Sequence, residues 1–340
     1  MSDMPELRTG PPWAMEEMIY AEPGLVEPIL TSSAALEAAE SIREGGPVVI
    51  VGCGTSEHAA MAGAALIEGA TARDAFEASL DPQAGGVCIA ISHEAGTAAT
   101  LAAMHAAAAN GARTILITAK PDEIVPSSAA TATTGGDTVT APDIVFATPL
   151  VDTSWCHTVG YVSPLLALTA IAGAADAATC ARVLTDTLEH RARFTDAAKQ
   201  LASAERLVIT GSGVDEITAR ELALKIEEGL HVPCTPLGVE KVLHGHLPAA
   251  DATTGIIVIR VDPSAAAKRD ARADDVRRAV AELGMPTVTV DALPEGHPLL
   301  AGAIALQLLT LELVHQAGTN PDLIRREQPT YKAAADAAST

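Results

Sequence analysis

Apolar residues in this chain come in short unbroken runs, each closed by glycines or hydroxyl-bearing residues and followed by a stretch of helix formers. The first run, Pro47-Val48-Val49-Ile50-Val51, passes into Gly52-Cys53-Gly54-Thr55-Ser56 and then into a small-residue helix predicted over 57–69. The second, Val87-Cys88-Ile89-Ala90-Ile91, passes into Ser92-His93-Glu94-Ala95-Gly96-Thr97 and a helix to about residue 110. Strand, Gly-rich turn, helix is the βα unit of an open parallel sheet, whose strands are covered on both faces and read as continuous apolar runs. Further strands are predicted at 114–118 and 144–146, with a Thr/Gly/Asp-rich loop over 127–142 between them. A long helix is predicted from near Thr153 past Ile171. Ahead of the first strand, 12–19 and 33–44 read as helices, the second stopped by Gly45-Gly46-Pro47.

Residues 176–204 are Ala-rich and helical in pattern, and after them the opening theme returns. Arg206-Leu207-Val208-Ile209-Thr210 leads into Gly211-Ser212-Gly213 and a helix over 216–230. Strands at 255–261 and 287–290 follow, then a long apolar helix at 301–316. The repeat of roughly 160 residues, from Gly52 to Gly211, is far beyond solenoid spacing and indicates a duplicated domain. A chain of 340 residues also exceeds the usual single-domain size. The organisation expected is an N-terminal helical arm at 1–30, one α/β domain at 31–176, a helical linker at 177–204, and a second α/β domain with a C-terminal tail at 205–340.

Composition narrows the function classes. Hydrophobic residues make up 48% of the chain and aromatics only 2%, so the cores must be built from Ala, Val, Leu and Ile. The 43 acidic and 22 basic side chains give a formal charge of -21. A nucleic-acid binder needs a basic patch and, for single strands, stacking aromatics, so no nucleic-acid partner is expected. The apolar stretch at 165–175 is too short to span a bilayer, and no membrane segment is expected. Met1 to Gly10 lacks an apolar signal core, and five cysteines form no CxxC pair, so a cytoplasmic protein with reduced thiols is expected.

Cofactor motifs give no lead. GxGxxG would need glycine where Glu57 stands, GxxxxGK[ST] does not occur, and there is no GxSxG or HExxH. His244 and His246 stand in an apolar loop without a cysteine cluster or an acid at zincin spacing, so no metal and no organic cofactor are expected. Three features remain. The loop Gly52 to Ser56 offers amides and hydroxyls to an anion at a helix start, though such a turn is as often a packing necessity. Ser92 and Thr97 flank the next turn, where they either cap the helix or meet a ligand. On the helix at 216–230, Glu221, Lys225 and Glu228 fall at i, i+4 and i+7, opposite Leu222, Ala223, Ile226 and Leu230. That stripe is either a solvated face with a favourable Glu–Lys pair or a carboxylate base steadied by a lysine.

In this order the segments resemble the isomerase half of glucosamine-6-phosphate synthase and its SIS-domain relatives. Met15-Glu16-Glu17-Met18-Ile19 with Glu22-Pro23 is similar to that half's leading helix, Gly52 to Ser56 to its G-C-G-T-S turn, and Ser92 to Thr97 stands for S-Q-S-G-E-T. Val151-Asp152-Thr153-Ser154 takes the place of V-A-S-T, Glu221 to Glu228 resembles E-G-A-L-K-L-K-E, and His244-Gly245 falls at K-H-G-P. GCGTS and the Glu-Leu-Ala-Leu-Lys helix are the most specific pieces, and the likeness covers nearly the whole chain. It implies two SIS domains, each an open, mostly parallel sheet flanked by helices in a flavodoxin-like three-layer sandwich. It implies Glu228 as the base that moves a proton between C1 and C2 of an open-chain sugar, held by Lys225. His244 would open the sugar ring from a neighbouring subunit, which implies a homodimer. Lys332, out of register, would stand for a C-terminal lysine that touches the sugar. Gly54, Thr55, Ser56, Ser92, His93, Glu94, Thr97, Thr153 and Ser154 would contact a sugar or sugar phosphate. No glutaminase segment precedes these motifs, so glutamine-dependent amino transfer is not expected.

One departure bears on substrate. Glu94 stands where the phosphate turn of the family has serine, and His93 where it has glutamine. Two unit charges at about 4 Å and an effective dielectric of about 20 repel by roughly 4 kcal/mol. Three outcomes follow: Glu94 turns outward, His93 or an arginine neutralises it, or the substrate lacks the usual 6-phosphate. The leading function class is an aldose–ketose isomerase or amino-sugar phosphate deaminase. The rival is a non-catalytic sugar-sensing protein, which loss of Glu228 would leave able to bind.

Overall fold

The computed structural model describes residues 8–124, 141–291 and 296–338. These fall into two compact units. One comprises Glu22–Val151 and Val159–Arg182; the other takes the remaining described residues, 8–21, 152–158 and 183–338. The loop predicted over 127–142 lies, up to residue 140, outside the described residues.

The first unit is built on β1 (Val48–Gly52), β2 (Ala70–Asp74), β3 (Val87–Ile91), β4 (Arg113–Thr118) and β5 (Ile144–Ala147), all parallel in the order β2-β1-β3-β4-β5. β1 and β3 are buried along their whole length, as the unbroken apolar runs require. Against the sheet lies the helix Val159–Ala172, buried on nearly every side. The helix Thr55–Leu66 comes so close that a Cβ on Gly63 would meet Ile50 and Leu168 methyls at 2.8 and 2.9 Å. The helix predicted from Thr153 therefore starts six residues later, at Val159. Residues Asp152–Thr158 are instead a turn belonging to the second unit.

The second unit repeats the plan with β6 (Arg206–Gly211), β7 (Cys234–Gly238), β8 (Thr254–Arg260) and β9 (Thr287–Asp291), parallel in the order β7-β6-β8-β9. The duplication extends to backbone angles. Gly54 (φ 57, ψ -124) and Gly213 (φ 68, ψ -130) open the helices Thr55–Leu66 and Val214–Leu230 in the same left-handed conformation, which only glycine adopts cheaply. Gly52 and Gly211 also match: a Cβ on Gly52 would meet the Ser56 carbonyl at 2.5 Å, and one on Gly211 would collide with the Asp215 carbonyl. Each sheet thus has a topological switch point, between β1 and β3 and between β6 and β8, where open α/β sheets take their ligands.

The core of the second unit is the helix Pro298–Ala317. Among the described residues it alone is long and apolar enough to cross a membrane, and 89% of its apolar window is buried inside the protein. His297 caps it, its Nδ1 accepting from the Leu300 amide at 3.3 Å. Burial pushes the His297 pKa down to about 4. The unfolded chain, with an ordinary value near 6.5, binds the extra proton first as pH falls. Stability from neutral His297 is therefore complete above about pH 6.5 and is lost toward pH 4, by about 3 kcal/mol. His297→Asn keeps a capping oxygen without the titration. Urea unfolding of this variant should depend less on pH by that amount across the window, and equal slopes would refute the assignment.

Candidate active site

In the first unit the turns after β1 and β3 lie side by side at the switch point. Ser92 is buried, and its Oγ accepts from the Thr97 amide at 3.4 Å and lies 3.3 Å from Thr97 Oγ1. The Thr97 side chain itself makes no cap, so Ser92 closes the helix start and leaves an exposed threonine hydroxyl at the turn. Thr55 and Ser56 open the helix Thr55–Leu66, half-buried, with the Ser56 amide bonded back to the Cys53 carbonyl. Glu94 is mostly buried and its Oε2 lies 3.5 Å from Lys120 Nζ. That cation comes from the segment just after β4. The same strand end is stitched to the turn, since the Thr118 hydroxyl and the Ala119 amide both donate to the His93 carbonyl.

The corresponding place in the second unit is filled by the protein itself. Asp215, at the repeat position of Ser56, accepts from the amides of Val261 and Asp262. Burial pushes its carboxyl up to about 6 against those two bonds. Arg269 pairs with Asp262, and its guanidinium occupies the space a side chain at Gly213 would need.

Charged chemistry in this unit sits further along the helix Val214–Leu230. Glu221 and Lys225 are wholly buried, so the solvated-stripe reading fails for them. Lys225 Nζ is 2.6 Å from Glu228 Oε2 and 3.6 Å from Glu221 Oε1. The helix packs against β6 and β7 as well as the core helix, and its charged face lies under the turn Pro321–Leu323 and Cys156. Burial alone would strip the lysine proton, but the charges of Glu228 and Glu221 outweigh it and hold the pKa above the ordinary value. Cys156, whose thiol donates to the Lys225 carbonyl at 3.6 Å, is pushed well up by burial.

Two buried carboxylates organise the cover. Asp152 accepts from the Ser154 amide and hydroxyl and from the Thr158 amide, closing the turn Asp152–Thr158. Asp322 accepts from the amides of Ala14 and Met15 at 2.8 Å each, which ties the N-terminal helix down. The Ser154 hydroxyl is thus spent inside the turn rather than offered to a ligand, whereas Thr153 is exposed.

Glu228 is the member of the charged stripe that reaches solvent, 24% exposed. It lines an open cleft of about 490 Å³ with Glu227, His231, Ile324, Arg325 and Tyr331, within the size range of about 300–1,000 Å³ for small-molecule sites. Lys332 and His244, expected at the catalytic centre, are not among the residues that line this cleft. Lys332 is 68% exposed beside Asp336, and His244 is 71% exposed with its Nε2 2.7 Å from Glu240. Sequence reasoning missed Lys120, Asp152, Cys156, Asp322 and Arg325. Glu221, one turn before Lys225 on the same stripe, carried a signal that was legible.

A family model described as the SIS domain matches residues 41–150. The chain is 25% identical over 335 residues to a glutamine–fructose-6-phosphate aminotransferase (isomerizing) of Symbiobacterium thermophilum, covering 86% of this chain and 52% of that protein. It spans little more than half the length of the curated relatives it matches. Among solved structures it is similar to tagatose-6-phosphate ketose/aldose isomerase of Escherichia coli, with a TM-score of 0.75 at 17% identity over 95% of this chain and 98% of that one. It is also similar to glucosamine-6-phosphate deaminase of Thermotoga maritima, with a TM-score of 0.69 at 16% identity over 91% and 96%. These likenesses establish the fold, two parallel open sheets flanked by helices as in the double-SIS architecture.

Proposed function

From a chain that carries a SIS domain and resembles the isomerase part of the glutamine–fructose-6-phosphate aminotransferases, we infer an enzyme that moves a proton between C1 and C2 of a sugar phosphate. The reaction is an aldose–ketose isomerisation or the deamination of an amino-sugar phosphate. Glu228 carries the assignment: it is a carboxylate open to a cleft and fixed at 2.6 Å by a lysine that is itself fully buried.

The proton removed lies α to a carbonyl and is acidic enough for a positioned carboxylate to take it. Glu228 accepts it from one carbon and returns it to the next. Lys225 does not meet the substrate in this scheme; pinned between Glu221 and Glu228, it fixes the carboxylate rotamer. Within the first unit, the hydroxyls of Thr55, Ser56 and Thr97 are assigned to binding a phosphate group, and His244 is assigned to ring opening at the site of a second copy.

Glu228→Gln keeps size and polarity and removes the base. Incorporation of solvent deuterium at C1 of fructose 6-phosphate or tagatose 6-phosphate, or at C2 of glucosamine 6-phosphate, should fall by about 10²–10⁴. Exchange at the wild-type rate in Glu228→Gln would falsify the role. Binding of these sugars by the wild type with no exchange in any of them would make the protein a sugar sensor instead.

A further inference from the structure

An arginine also lines the Glu228 cleft, and the proton-transfer scheme gives it no task. Arg325 follows Ile324 just after the turn Pro321–Leu323, and both hold left-handed backbone, φ 40 and φ 59. Neither is glycine and Ile324 is β-branched, so the pair is strained. Such strain persists where the surroundings enforce it, and it gathers at ligand sites. Its effect is to lay the guanidinium against the cleft wall, 5.0 Å from the Tyr331 ring centre, with one nitrogen donating to the Tyr331 hydroxyl. The neighbouring Arg326 stacks on Trp155 at 4.9 Å, pinning the same segment to the Asp152–Thr158 turn.

The cleft acids are engaged elsewhere. Glu228 is bonded to Lys225, and Glu227 accepts from the Cys234 amide at 3.0 Å. Arg325 Nε is buried and donates to no acceptor among the described residues. An arginine with an unused, desolvated donor at a cleft wall is a ready partner for a carboxylate or other oxyanion.

We propose that Arg325 binds an oxyanion of the ligand at the end where Glu228 acts. This rests on the sugar-phosphate reading above and refines its substrate. Two sources share the chemistry: the sugar oxygen that becomes negative when Glu228 takes the proton, and a carboxylate carried on the reacting end of the sugar.

The test uses the full chain and two stable ligands, 6-phosphogluconate with a carboxylate at C1 and glucitol 6-phosphate with a hydroxyl there, compared by titration calorimetry. The wild type should bind the aldonate at least about tenfold tighter, a difference of about 1.4 kcal/mol. In Arg325→Gln the order should reverse, because Glu227 and Glu228 are left to repel the carboxylate. Arg325→Lys should keep part of the preference, and glucitol 6-phosphate affinity within about threefold of wild type shows that each variant is intact. Loss of proton-exchange kcat in Arg325→Gln at constant KM identifies the developing oxygen as the partner; loss confined to the affinity of carboxylate sugars identifies the substituent. No aldonate preference in the wild type, or one that survives Arg325→Gln, overturns the proposal. If the wild type binds neither ligand, the sugar-phosphate reading fails and this inference with it. If it binds both alike, only the inference fails.

Discussion

Lys225→Met is expected to destabilise the second unit by about 3–5 kcal/mol, the usual penalty for removing one partner of a buried ion pair. The cause is Glu221 rather than Glu228. Both carboxylates lie within 4 Å of Lys225 Nζ, but Glu228 is partly exposed and can hydrate once the lysine is gone. Glu221 is wholly buried, and its charge cannot hydrate once the lysine beside it is removed. The double variant Glu221→Gln/Lys225→Met removes that charge and should recover most of the loss, so the two substitutions couple strongly. Both tryptophans, Trp13 and Trp155, belong to the second unit, so the fluorescence change in urea reports on the unit in question. A Lys225→Met loss below about 1 kcal/mol, or a double variant as unstable as the single one, would mean that the buried pair contributes little. Proton transfer should fall in both variants, because Glu228 loses the group that holds its rotamer.

How much of this was legible in the sequence depended on where each element stands in its sheet. The central strands β1, β3, β4, β6 and β8 are covered on both sides and announce themselves as apolar runs. β2 (Ala70–Asp74) and β7 (Cys234–Gly238) are edge strands, only partly buried, and their sequences Ala-Thr-Ala-Arg-Asp and Cys-Thr-Pro-Leu-Gly carry no such run. β7 even contains Pro236, which an edge strand tolerates because one side of its ladder is open. The helix Ala266–Glu282 escaped for a related reason: charges surround it, and only Ala273, Val276 and Val280 are buried along a narrow stripe.

The candidate site divides in the same way. The pairing of Glu221, Lys225 and Glu228 follows from helical spacing, but spacing cannot tell an inward stripe from an outward one. The difference is made by Pro321 and Cys156, remote in sequence, which cover that face. From Thr153 onward the composition permits a helix, but residues up to Thr158 form a turn. Asp152 instead collects the nearby amide and hydroxyl donors into a closed loop, the local competition that short polar side chains offer to a helix.

Glu94→Gln should tighten binding of a sugar phosphate by about 10–100-fold, the largest gain expected from a single substitution. A carboxylate about 4 Å from a phosphate oxygen would cost roughly 4 kcal/mol per unit-charge pair at an effective dielectric of about 20. Lys120, 3.5 Å from Glu94, cancels part of that cost and is itself held back from the anion. Removing the carboxylate lifts the repulsion and frees the lysine together. Lys120→Met should do the opposite, removing the cation beside Glu94 and weakening the phosphate ligand by a similar factor. The double variant should fall between the two, and the deviation from additivity measures the pair. The gain in Glu94→Gln should shrink in high salt, because it is charge attraction at a partly exposed turn. Tighter binding limited to phosphorylated sugars would establish the turn as an anion site that its own glutamate restrains. Unchanged or weaker phosphate binding in Glu94→Gln would instead give Glu94 the job of a hydrogen-bond acceptor for sugar hydroxyls or an amino group, and the ligand at this turn would then be an uncharged or cationic sugar end.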